Sequence, residues 1–108
     1  LAREGRDEVA TGLLDRLTAA DSTTRITASL GLGLMEPRRA VEPLTRAVRD
    51  RAAGVRANAL WALGRIEDGR AYRPALGALE DDVALVRETA AGTLGRLDSA
   101  SAVPALLR

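Results

Sequence analysis

The sequence repeats itself every 31 residues, and that period limits the fold more than any other feature. Val55-Arg56-Ala57-Asn58-Ala59-Leu60-Trp61-Ala62-Leu63-Gly64-Arg65-Ile66 aligns with Val86-Arg87-Glu88-Thr89-Ala90-Ala91-Gly92-Thr93-Leu94-Gly95-Arg96-Leu97. One period earlier, Thr24 to Met35 keeps the Arg, Ala, Leu and Gly of the pattern. The intervening segments repeat too: Ala40-Val41-Glu42-Pro43 matches Ala71-Tyr72-Arg73-Pro74, and Asp50 matches Asp81. The third match, Ala102-Val103-Pro104, carries its Pro one residue early, which predicts a shorter loop there. The units run over 9–39, 40–70 and 71–101. Residues 1–8 read as the tail of an earlier unit and 102–108 as the first turns of a later one.

Each unit predicts two helices. In the middle unit the first spans Arg39 to Arg49, with Val41, Leu44 and Val48 at helical spacing and Pro43 in the opening turn, where its missing N–H does no harm. The second spans Ala53 to Ile66, with Val55, Ala59, Ala62, Leu63 and Ile66 on one face, and Asp68-Gly69 breaks it. Asp21 sits where an N-cap belongs. The matching places hold Ala52 and Val83, so those helices lack the cap or borrow a neighbour such as Asp82. A helix pair of this size cannot bury its apolar face alone, so the units must stack into a solenoid. Ala28, Ala59 and Ala90 are small where adjoining helices would meet. Gly33, Gly64 and Gly95 each cost about 1 kcal/mol relative to Ala inside a helix, and their recurrence predicts a close approach of another helix.

Composition agrees and removes chemistries. With one Trp, one Tyr and no Phe in 108 residues, the core must be Leu, Ala, Val and Ile, which suits packed helices. There is no Cys, His or Lys. This excludes thiol nucleophiles, disulfides, imidazole bases or metal ligands, and lysine Schiff-base or P-loop chemistry. Sixteen Arg against fifteen acids leave a net charge of +1, which argues against nucleic acid as the partner. No apolar run reaches the length a membrane helix needs. No signal peptide is visible, which fits a cytoplasmic location, and the start at Leu1 suggests a piece of a longer chain.

The pattern V-R-x-x-A-x-x-A-L-G-x-I, followed by D-x-R-A-V-x-P-L, resembles the HEAT repeats of the bacterial and archaeal type, the PBS-lyase HEAT-like repeats. Val55, Arg56, Ala59, Ala62, Leu63, Gly64, Ile66, Asp68, Arg70, Ala71 and Pro74 carry the resemblance. The first unit departs from it, with Thr24 and Met35 in place of Val and Ile. The resemblance implies an all-α fold: a right-handed α-solenoid (α/α superhelix) serving as a protein-binding scaffold, with no enzymatic activity and no cofactor of its own. Some relatives are bilin lyase subunits, appendages of enzymes or nucleic-acid readers, so an accessory role in a lyase is the alternative. The family often carries an Asp and an Arg six residues apart. Asp50/Arg56 and Asp81/Arg87 match, whereas Ala19/Arg25 lacks the acid, and Arg25 could instead find Asp50.

The carboxylates Glu67-Asp68 and Glu80-Asp81-Asp82 fall in interhelical turns, where acids favour the following helix N-terminus. The Arg25, Arg56 and Arg87 column reads as an internal ladder. A second column, Arg65 and Arg96 with Arg3 at an earlier place, is expected to project from the second helices. Positions 57, 61 and 65 are expected to face away from the core. The first unit fills the same places with Ile26, Leu30 and Leu34, and Trp61 should lie beside Leu30. An apolar strip with a Trp marks an interface. The expected protein-binding residues are therefore Ile26, Leu30, Leu34 and Trp61, ringed by Arg65 and Arg96. The partner would be another protein, flanking segments of the parent chain or a second copy, since open solenoid ends favour self-association.

Overall fold

A computed structural model of the chain describes residues 3–106, and all six α-helices there belong to one repeating stack. They are α1 (Arg3–Arg16), α2 (Ser22–Met35), α3 (Val41–Ala47), α4 (Ala53–Ile66), α5 (Tyr72–Ala78) and α6 (Ala84–Leu106). Short 3-10 turns, Arg38–Ala40 and Gly69–Ala71, lead into α3 and α5. The second helices α2, α4 and α6 pack side by side, and α1, α3 and α5 each cover the helix that follows, giving a two-layered slab of 42 × 39 × 16 Å.

The first helix of the middle unit is shorter than its periodicity suggests. Pro43 has no N–H to return to the Arg39 carbonyl, so the chain enters through the tight turn, where the Ala40 N–H donates to the Pro37 carbonyl at 3.0 Å. Pro74 imposes the same entry, with the Ala71 N–H on the Asp68 carbonyl. The first unit has Gly12 at this place, and α1 runs unbroken from Arg3 across the expected boundary at residue 9.

Helix ends follow local chemistry. Asp21 caps α2 by accepting from the Thr24 N–H at 2.9 Å and the Thr24 hydroxyl at 2.8 Å. The other two second helices have no such cap. Their turns are held instead by Asp50, which accepts from the Ala52 N–H, and by Asp81, which accepts from the Val83 N–H; Asp82 does not take the role assigned to it. At their C-termini α2 and α4 close on Glu36 (φ 55°) and Glu67 (φ 59°), left-handed residues followed by Pro37 and by Asp68-Gly69. The equivalent residue in α6 is Asp98. Neither Pro nor Gly follows it, and α6 continues to Leu106, so the short loop expected before residue 102 does not form.

The core is aliphatic, as the composition requires. Leu32, Val41, Leu44, Val55, Leu60, Leu63 and Val86 are completely buried. Two buried hydroxyls are satisfied by carbonyls: Ser29 donates to Ile26, and Thr93 of α6 donates to Leu60 of α4 at 2.7 Å.

Candidate protein-binding face

An arginine ladder fixes the register between units. The Nε and Nη2 of Arg25 grip the Asp50 carboxylate at 2.8 and 3.1 Å, while Nη1 donates to the Ala19 and Ala20 carbonyls. Arg56 repeats this on Asp81 at 2.8 and 3.0 Å, with Nη1 on the carbonyls of Asp50 and Arg51. Each ion pair therefore spans 25 residues and joins one unit to the next. The six-residue spacing of Asp50 and Arg56 is bridged only by the Asp50 backbone carbonyl. Planar bidentate pairing of this kind is what guanidinium does better than ammonium. Arg56 holds the Asp81 carboxyl below its usual range, helped by the Val83 N–H. At Asp50 burial pushes the pKa up, but the bonds from Arg25 and Ala52 outweigh it and the carboxyl is lowered. Two open clefts of about 550 and 600 Å³ lie over these pairs, between the first helices, so their deepest charges are already neutralised.

The residues expected to bind a partner divide into two groups. Trp61 and Arg65 lean back onto α2. The Trp61 ring lies against Gly33, where a Cβ would collide with it, and the Arg65 guanidinium stands 5.3 Å from the ring centroid. Arg65 Nε donates to the Gly33 carbonyl at 3.0 Å and Nη2 to Glu36. Arg96 repeats this on α4, with Nε on the Gly64 carbonyl at 3.1 Å and an ion pair to Glu67 at 3.7 Å. The second arginine column thus does not project freely; it ties neighbouring helices together. Arg3 lies outside the described side chains. Position 57 does not face away from the core either, because Ala57 is buried beside Leu60 and Gly64. Ile26 is half-buried, its Cδ1 at the start of α4 near Gly54 and its carbonyl accepting from Asn58.

Leu30 and Leu34 form the second group. They occupy the places of Trp61 and Arg65 in the repeat, the side that leans toward the preceding second helix. They are 42% and 62% exposed, on a helix whose opposite side is covered by α4. Periodicity read only from apolar positions could not separate the forward side of a helix from the backward one. The signal that does is the glycine column. Gly33 receives the Trp61 ring, and Gly64 receives Thr93 at 3.4 Å, so each marks the side facing the next unit. A Cβ on Gly95 meets nothing within 4 Å, so the close approach expected there is absent.

Chemistry beyond packing has little to work with. Among the described residues no group of three His, Cys, Asp or Glu is placed to hold a metal ion. Asp68, with its carboxyl lowered to about 2 by Arg70, accepts from the Arg70 backbone N–H and side chain and shapes the turn before α5. No helix of the described residues is long and apolar enough to cross a membrane.

The family model described as HEAT repeats matches residues 10–88 and again 55–108. No curated protein matches the sequence. With its periodic helix pairs matched over nearly its whole length, this all-α solenoid belongs to the HEAT repeat family.

Proposed function

We propose that the chain is a non-catalytic protein-interaction module that seats a helix of a partner protein on the α2 face carrying Leu30 and Leu34. Members of the family generally serve as interaction scaffolds. The observation that carries the reading is the exposure of two leucines one turn apart, 42% and 62%, at places where the next unit has residues engaged with a neighbouring helix. Covering the surface that each still exposes contributes roughly 1 kcal/mol apiece, enough to make them the anchors of a small interface. The Trp61 ring, half-buried, and Arg65 flank this strip. Ile26 reaches the start of α4, and Arg96 lies on α6 with its bond to Gly64 of α4, so neither lines the strip itself.

A photo-crosslinking side chain at position 34, compared with one at Glu42, 66% exposed on α3, tests the reading. A discrete adduct from position 34, lost on Leu30→Glu with unchanged helical circular dichroism, is expected. Equal labelling from both positions, or an adduct indifferent to Leu30→Glu, would falsify it.

A further inference from the structure

The first-helix side of the stack carries a group of charges that the packing does not use. The two clefts there are lined by six arginines and two aspartates, whereas the rest of the chain holds ten arginines against thirteen acids. Arg25 and Arg56 engage both aspartates. The larger cleft, about 600 Å³ between α3 and α5, is left with three exposed cations, Arg46 and Arg49 on one wall and Arg73 on the other. Among the described residues none of the three makes an ion pair or a side-chain hydrogen bond. They also stand off the period. The ladder arginines recur at 25, 56 and 87, but Arg46 matches Asp15 and Gly77, Arg49 matches Thr18 and Glu80, and Arg73 matches Thr11 and Glu42. Stacking of the units therefore does not call for them. The Arg49 N–H donates to the Arg46 carbonyl at 3.0 Å, which sets two like charges one above the other, against the stability of their own turn.

The spacing of these charges selects the shape of a ligand. In the register of the repeat Arg73 lies at the level of Glu42, four residues before Arg46 and about 6 Å along the cleft. Arg49 follows after a tight turn, about 6 Å further on. An extended chain returns side chains to one side every two residues, about 6.6 Å apart. A helix is too thick. The cleft volume, spread along the seven residues of α5, leaves a cross-section of about 60 Å², and a helix about 10 Å or more across fills at least about 80 Å². The floor is apolar, from Val48, Pro74 and Ala78. Gly77 leaves the α5 wall as bare backbone, since a Cβ there meets nothing within 4 Å. We infer that the α3–α5 cleft binds an extended acidic segment of a partner protein, its small apolar residues pointing to the floor and its alternate carboxylates rising to Arg73, Arg46 and Arg49. Rim charges of this kind select the partner and speed its encounter more than they add affinity.

A fluorescein-labelled peptide with glutamate at every second residue and valine between them tests this by fluorescence anisotropy. The unaltered chain should bind it, and more weakly as salt rises. Arg46→Gln should weaken binding about threefold, the loss expected for one exposed pair. Gly77→Phe removes no charge but fills the cleft, and should weaken binding at least as much. Gly77→Gln serves as a second filler should the first lose its helical circular dichroism. Arg38→Gln, the same change of charge at a side chain 76% exposed outside the clefts, should leave binding unchanged. So should Leu30→Glu, which separates this cleft from the α2 face. Absence of binding at low salt overturns the inference. So does an equal loss in Arg38→Gln and Arg46→Gln, or binding indifferent to a folded Gly77 variant. Equal binding of a peptide with the same residues but consecutive glutamates, or tighter binding of a single-stranded oligonucleotide of equal charge, overturns it too.

Discussion

Gly33 shows how a residue with no side chain can be the most constrained in its helix. A Cβ there would overlap the Trp61 ring and stand 3.0 Å from the Ala62 Cβ. Gly33→Ala therefore gains about 1 kcal/mol of helix propensity and loses more by displacing the indole, since overpacking costs about 1–3 kcal/mol. We expect a net loss of stability in urea denaturation, together with a red shift of Trp61 emission as the ring moves into water. Gly95→Ala meets no neighbour and should raise stability by up to about 1 kcal/mol, with Gly64→Ala, in ordinary contact at 3.4 Å, between the two. An equal effect at all three positions would mean that the column reflects something other than helix approach. Asp50 is the other decisive residue. Asp50→Ala strips an acceptor from two N–H groups of a guanidinium only 7% exposed and from the Ala52 N–H. Leaving such donors unmet costs about 1–3 kcal/mol. Glu36→Ala breaks an ion pair whose partners are 34% and 44% exposed, and should cost less than about 1 kcal/mol.

At the scale of elements, the helix pairs were legible because their apolar spacing, prolines and turn residues all repeat. Two things were not. The face of a helix that meets its predecessor and the face that meets its successor are both apolar or small, so Trp61 read as outward when it leans on Gly33. The end of α6 departs from the period because the repeat carries its core into the third unit but not its stop signals. Helices stop where a left-handed residue is followed by residues that favour leaving the helix, as Pro37 does after Glu36 and Asp68-Gly69 after Glu67. After Asp98 come Ser99 and Ala100, which can continue. Ser99→Pro should restore the missing stop, because the residue before a proline is driven out of the helical region. The expected result is a loss of amide protection over 100–106 with protection of α4 unchanged. Persistence of helix beyond residue 99 would show that something other than the missing signal extends α6.

The whole molecule is tied together by carboxylates paired with arginine, and that makes its stability depend on pH in one direction. Asp50, Asp68 and Asp81 have folded pKa values below the ordinary aspartate value near 4, and that of Asp68 lies at about 2. A lowered carboxyl binds fewer protons folded than unfolded. Its contribution is complete above the unfolded value and is lost as pH falls through the folded one. Nothing offsets this at higher pH, since the chain has no His, Cys or Lys and arginine stays charged. The urea midpoint should therefore be flat from about pH 5 to 8 and fall between about pH 4 and 2. Because Asp50 and Asp81 join successive units, the loss should reach every junction together, so that α2 and α6 melt in one transition at pH 7 and at pH 3 alike. Asp50→Asn should flatten the acid limb by the share this one junction contributes, leaving the plateau level lower. A midpoint that varies between pH 5 and 8, or an acid limb untouched by Asp50→Asn, would place the pH dependence outside the ladder.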